Sequence, residues 1–161
     1  MGWYVVNARD ADWKVNDVFG AYTRFEQGGT RFEQVGINIG VLEPGQPACL
    51  YHGEADQEGF LVLSGTPVLL IEGEERQLKQ WDYVHCPPDV AHAIVGAGEG
   101  LSLVLAVGNR LGPDVILYPR DETALKHGAG VEQDTPHPKE AYARFTRPAP
   151  DVEFREEFLA G

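Results

Sequence analysis

Basic residues are scarce in this chain. Thirteen lysines and arginines stand against 25 aspartates and glutamates, a net charge of −12, so a phosphate backbone or an anionic membrane surface would be repelled. Nucleic acid and membrane are thereby set aside as partners, which leaves small molecules and other proteins. Cysteine is scarcer still. Cys49 and Cys86 are the only two, too few for a disulfide framework, and they have neither the paired spacing of a zinc knot nor that of a C-x-x-C redox pair. No apolar run approaches the roughly 20 residues that span a bilayer. The opening MGWYVVNARD also lacks the basic-then-apolar layout of a secretory leader, so a cytoplasmic location is expected.

Against these absences stand 43% hydrophobic residues with three Trp, six Tyr and seven Phe in 161 positions, enough for one domain spanning 1–161 with a sizeable core. Glycine (19) and proline (11) fall mostly between short runs rich in Val, Ile, Leu, Phe and Tyr, the punctuation of many short strands. FEQVGINIGVLEPG alternates with period two at Val35, Ile37, Ile39 and Val41 and stops at Pro44-Gly45. GFLVLSG, PVLLIEGEERQL, DYVHCPP, HAIVGAG and LSLVLAVG follow, and IEGEER reads as a hairpin turn centred on Gly73-Glu74. The spacing from about 34 to 109 predicts an all-β sandwich or barrel. Segments 1–33 and 110–161 flank it as extensions. In the second of these, YPRDETALKHGAG has the charge polarity of a short helix, with acids first, Lys126 and His127 last and Gly128 after. KEAYARF suggests another helix. The proline-rich RPAPD reads as a linker or draped tail, and 151–161 as a strand, a helix or a disordered end.

The chemistry concentrates in CLYHGEADQEGFLVLSG, residues 49–65. His52 and Glu54 share one face of a strand, and a turn at ADQ is expected to bring Glu58 back on the next antiparallel strand. Glu58 has the parity of Phe60 and Val62, so if they face the core it does too. A carboxylate there must be neutralised by a shifted pKa, paired with a cation, or bound to a metal. The neighbouring histidine favours the metal. A second segment, WDYVHCPPDVAHAIVG, supplies His92 at the start of another strand.

These two segments resemble the two motifs of the cupin superfamily, conserved-barrel (cupin 2) type. Gly45, His52, Glu54, Glu58 and Gly65 match the first, and Trp81-Asp82, Pro87, Asp89, His92 and Gly96 the second. Four departures stand out: Glu54 takes the place of a second histidine, Asp89 of a turn glycine and Gly96 of an asparagine, and one extra residue separates Gly45 from His52. The resemblance implies a double-stranded β-helix (jelly-roll) barrel with a divalent ion on His52, Glu58 and His92. Glu54 is a fourth ligand, a general base or an outer-sphere partner of a ligand histidine. Zinc is expected in purified protein, with Fe, Mn, Ni or Co as alternatives. The implied activity is a metal-dependent enzyme for a small, non-phosphorylated molecule, a dioxygenase or an isomerase; the alternatives are a non-catalytic small-molecule or sugar-binding cupin and a structural barrel. Phosphorylated substrates are disfavoured because residues 45–65 and 81–96 contain no Lys or Arg, although Arg24, Arg31 or Arg110 could reach in from the flanks. His85, Cys86, Gln57, His127 and His137 read as surface, packing, helix-end or loop residues. A homodimer paired through sheet edges is expected.

Overall fold

The computed structural model describes residues 2–112, 115–145 and 150–159. Among the described residues, twelve strands and two short α-helices succeed one another: β1 (Asp12–Asn16), β2 (Gly20–Arg24), β3 (Val35–Leu42), β4 (Gly53–Glu54), β5 (Glu58–Ser64), β6 (Val68–Ile71), β7 (Glu74–Gln77), β8 (Tyr83–Cys86), β9 (His92–Val95), β10 (Ser102–Asn109), β11 (Ile116–Leu117), α1 (Glu122–Lys126), α2 (Pro138–Ala141) and β12 (Asp151–Val152). The main sheet runs β12-β1-β2-β3-β10-β5-β8, a second β7-β6-β9, and a third is the pair β11-β4. Isolated bridges from Pro47 to Val95 and from His52 to His92 carry residues 47–52 along the edge of β9.

Period-two alternation decides which side chains fill the gap between the sheets. Leu42, Val62, Val84, Cys86 and Val104 come from the main sheet, and Leu69 and Ile94 from the second, to form one buried cluster. Full burial of each such aliphatic side chain contributes about 1.5–3 kcal/mol. The expected all-β jelly roll is the architecture observed.

The N-terminal segment is more than a flank, because β1 and β2 extend the main sheet beside β3. Its outer face is half covered: Phe158, with Val152 and Phe154, packs on Trp13, Ala21, Val41 and Leu103. Thus 151–159 form a strand on β1 and a 3-10 turn over the sheet. Most of the RPAPD stretch lies outside the described residues. The helix expected after Pro119 is a single turn capped by the Asp121 side chain on the Ala124 amide, and KEAYARF gives only the four-residue α2.

Two local expectations need correction. The β6–β7 hairpin turns at Glu72-Gly73, one residue earlier than predicted. Ile71 pairs with Glu74, and both central residues have positive φ, 49° and 78°, the backbone of a tight turn whose twist matches the strands. The ADQ stretch is not a hairpin turn either. β4 pairs with β11, whereas β5 lies in the main sheet between β10 and β8, so the chain crosses from one layer to the other. Local sequence carries no signal of which distant strand β4 will meet.

Candidate metal centre

His52, Glu54 and Glu58 converge although they belong to different layers: one ligand atom from each lies within 4.8 Å of the others. His92, 3% exposed at the start of β9, joins them across Glu58, its Nε2 being 3.0 Å from Glu58 Oε2. The two imidazole rings lie 5.5 Å apart. Phe60 packs on the His92 ring at 5.2 Å and Tyr118 on that of His52 at 5.6 Å. Behind His52 the backbone is braced by the C-terminal segment: the Leu50 amide donates to Tyr142 Oη and the Tyr51 amide to the Ala129 carbonyl.

The histidines are oriented alike. His52 Nδ1 lies 2.7 Å from the Leu50 carbonyl oxygen and His92 Nδ1 2.9 Å from that of Val90. A carbonyl can only accept, so each Nδ1 carries the hydrogen and each Nε2 of the neutral ring keeps a lone pair, the arrangement that orients histidine ligands in metal sites. Burial lowers the pKa of His52 and the neighbouring His92 lowers it further, which keeps its ring neutral. Burial also lowers that of His92, but contacts with Cys86, Glu58 and the Val90 carbonyl outweigh it and lift the value to about 10. Without an ion, Glu58 and His92 thus form a charge pair. It is a poorly made one: Glu58 Oε2 and His92 Nε2 are both buried and neither has a hydrogen-bond partner among the described residues, despite their 3.0 Å separation. Buried polar atoms left in this way are costly. A divalent cation satisfies both, so the residues fit the ion that the motif implies.

Thiols do not enter the set. Cys49 Sγ is 3.8 Å from His52 Nδ1, but burial, with Glu58 and Glu54 nearby, pushes its pKa up to about 12, so it stays a thiol. Cys86 sits in the apolar cluster, 1% exposed. His85 and Gln57 are exposed. His127 closes α1 and pairs with Glu75 at 3.2 Å, and His137 precedes α2.

Beside Glu54 and Glu58 opens a cleft of about 260 Å³, also lined by Arg31, Asn38, Asp56 and Arg110. Small residues, Gly36, Ala106, Gly108 and Gly112, make the room. Arg31 and Arg110 therefore do reach the site from the flanks, while Arg24 is exposed at the end of β2 and is not part of the lining. Asn38, Asp56 and Tyr118 were not singled out by sequence reasoning. Parity with Gly36 along the alternating run could have flagged Asn38, but no spacing signal points to Tyr118.

Fold and site together define a β-jelly-roll domain with a mixed nitrogen and oxygen donor cluster in its interior. Residues 38–108 match the family model described as "Cupin domain", and that segment of the chain is a cupin domain of the cupin 2 type. No curated protein sequence matches it. Among solved structures, it is similar to a proposed sugar phosphate isomerase from Acidithiobacillus ferrooxidans (28% identity over 60% of this chain and 63% of that one, TM-score 0.50). A sugar phosphate isomerase from a cupin superfamily, from Silicibacter pomeroyi, aligns over 74% and 88% of the two chains (20% identity, TM-score 0.59). The polyketide cyclase RemF from Streptomyces resistomycificus aligns over 70% and 82% (14% identity, TM-score 0.59). The last two likenesses establish the fold alone.

Proposed function

We propose that this chain is a metal-dependent enzyme acting on a small polar molecule. One divalent cation is held by His52, Glu58 and His92, with Glu54 as a further ligand or as the general base. The observation that carries this reading is the shared orientation of two imidazoles, each donating Nδ1–H to a carbonyl and keeping its Nε2 lone pair, with Glu58 Oε2 3.0 Å from Nε2 of His92 and a ligand atom of Glu58 within 4.8 Å of one of His52. Two nitrogens with carboxylate oxygens suit zinc, the ion expected on purification, and equally Fe(II), Mn, Ni or Co. Such an ion supplies Lewis acidity toward a carbonyl or hydroxyl oxygen of the substrate. The chain's own groups do the rest. The Leu50 and Val90 carbonyls hold the tautomers, and Phe60 and Tyr118 hold the rings. Glu54, on the cleft side, takes a proton from substrate and returns it. The polar lining suits a hydroxylated carbonyl compound better than an aromatic or diketone, whose apolar surface would gain nothing from these walls. Proton-transfer chemistry of the isomerase type is therefore favoured over dioxygenation.

We place this activity in the cytoplasm, where Cys49 and Cys86, both free, remain reduced. We also assign it to a homodimer, now through a sheet face rather than sheet edges. On the outer face of the main sheet, Ile37 pairs with Val107, Leu105 with Leu61, and Leu61 with Tyr83. Val107 and Tyr83 are 36% and 63% exposed. This row is uncharged in a chain of net charge −12, so two copies can meet there without bringing like charges together.

Protein purified without added metal is expected to hold about one equivalent of divalent ion. With hydroxy-carbonyl compounds in D2O, it is expected to exchange carbon-bound hydrogen for deuterium, read by NMR. Failure to retain or take up any metal overturns the site. Oxygen uptake after Fe(II) loading, without exchange, assigns a dioxygenase instead; retained metal with ligand binding but no turnover assigns a binding module.

A further inference from the structure

Arg110 is built into the cleft in an unusual way. Its Nη1 donates to Glu26 Oε1 at 2.5 Å and to the Phe32 carbonyl at 3.0 Å, and its backbone amide donates to the Gln34 carbonyl. Glu26 in turn accepts from the Phe32 amide. Burial pushes the Glu26 carboxyl up, but its bonds to Arg110 and Phe32 prevail and hold it below its ordinary value, so the grip is ionic. All of the side-chain anchoring falls on one nitrogen, Nη1. The Nε–H and the two Nη2–H donors have no partner among the described residues. The guanidinium lies over Gly36: a Cβ there would sit 2.9 Å from Nε, 3.1 Å from Nη2 and 3.2 Å from Cζ. Glycine at position 36 thus leaves room for a fixed guanidinium whose two-nitrogen edge is unspent.

Resting on the metal-dependent reading above, we infer that the substrate is a small hydroxy acid whose carboxylate docks on the Nε–Nη2 edge of Arg110 while its hydroxyl or carbonyl oxygens face the His52, Glu54, Glu58 and His92 cluster. The fork matches a planar carboxylate in two parallel hydrogen bonds. Anchoring by Glu26 means that little side-chain freedom is lost on binding. Charge selects a carboxylate over a phosphate. Glu54, Asp56 and Glu58 line the same cleft as Arg31 and Arg110, and Glu26 already offsets Arg110. With a divalent ion in place these charges balance, so a single negative charge is tolerated where a phosphate dianion would face three carboxylates. A volume of about 260 Å³ suits a molecule of about six carbons.

The test uses three ligands of one chain length that differ only at C1: D-gluconate, D-glucitol and D-glucitol 1-phosphate. Binding to the metal-loaded protein is measured by isothermal titration calorimetry, after metal content has been determined. Gluconate is expected to bind at least about tenfold more tightly than either competitor, the range of one charge-assisted bidentate contact. Arg110→Lys keeps the charge and the pairing with Glu26 but lacks the fork. Gly36→Ala removes no charged group but displaces the fork. Both variants are expected to retain the metal and to lose the preference for gluconate. Metal retained but no preference for the acid, whether all three bind alike or none binds, overturns the inference and leaves the metal site standing; so does tightest binding of the phosphate. Absence of metal from the wild type instead overturns the reading beneath it.

Discussion

Gly45 and Gly65 bracket the segment that carries His52, Glu54 and Glu58, and a matched pair of alanine substitutions separates two reasons for a glycine. Both have left-handed backbones, φ 86° and 81°. At Gly45 nothing lies within 4 Å of an added Cβ; at Gly65 the Cβ would stand 2.6 Å from the Leu101 carbonyl oxygen and 2.7 Å from Ser102 Cα. Alanine in the left-handed region costs roughly 1–2 kcal/mol at either position. It also restricts the unfolded chain, a stabilisation of about 0.4–1 kcal/mol that is common to both and cancels in the comparison. Only at Gly65 must backbone move to admit the methyl, which adds about 1–3 kcal/mol of overpacking. Gly65→Ala should therefore unfold at lower urea than Gly45→Ala by that difference, with unchanged slope. In a chain of this length 1 kcal/mol corresponds to about 2–4 °C, so the melting temperatures should differ by roughly 2–12 °C. If the two variants are equally stable within about 0.5 kcal/mol, well inside the usual scatter of surface substitutions, close packing of Gly65 against the start of β10 is not what holds that turn.

Other expectations concern the site and the assembly. His92→Ala should abolish metal binding, since it removes a buried nitrogen donor, whereas Glu54→Gln should weaken it less; equal metal content in wild type and His92→Ala would contradict this ordering. For metal-free protein, the raised pKa of His92 means that its folded charge pair stabilises fully below the ordinary value of 6.5 and is lost as pH climbs toward about 10. Burial acts oppositely at His52, whose contribution is lost only as pH falls below 6.5. Melting temperature should therefore decline between pH 7 and 10 in the metal-free state, and His92→Gln should flatten that decline; a wild-type profile that rises over this interval refutes the pairing. Val107→Glu should yield monomers by light scattering with unchanged metal content, and an unaltered dimer would exclude the outer sheet face as its interface.

The turn positions of the second motif show how local and family patterns combine. Trp81 and Asp89 stand where the family resemblance leads to glycine or to a tight turn, and both keep positive φ, 73° and 65°. Aspartate tolerates this conformation far better than tryptophan does. The backbone shape is retained here without the residue that most easily adopts it, so a glycine pattern alone would have understated the match.

Much of the site could be read from the chain because strand parity is a local property. Period two along residues 35–41 and 58–64 settles which side chains point inward, and residue chemistry alone marks His52, Glu58 and His92 as the buried polar groups in need of a partner. Pairing between distant segments is not local. That β4 crosses to β11 instead of folding back on β5, that β1 and β2 widen the main sheet, and that Arg110 lies over Gly36 beside Glu58 are consequences of contacts among strands far apart in the chain. Alternation tells a strand which of its faces is buried but not which strand it will lie beside; only the closed tertiary structure, in which every backbone donor must find an acceptor, decided the neighbours that set a cluster of histidines and carboxylates beside a cleft with a fixed guanidinium on its wall.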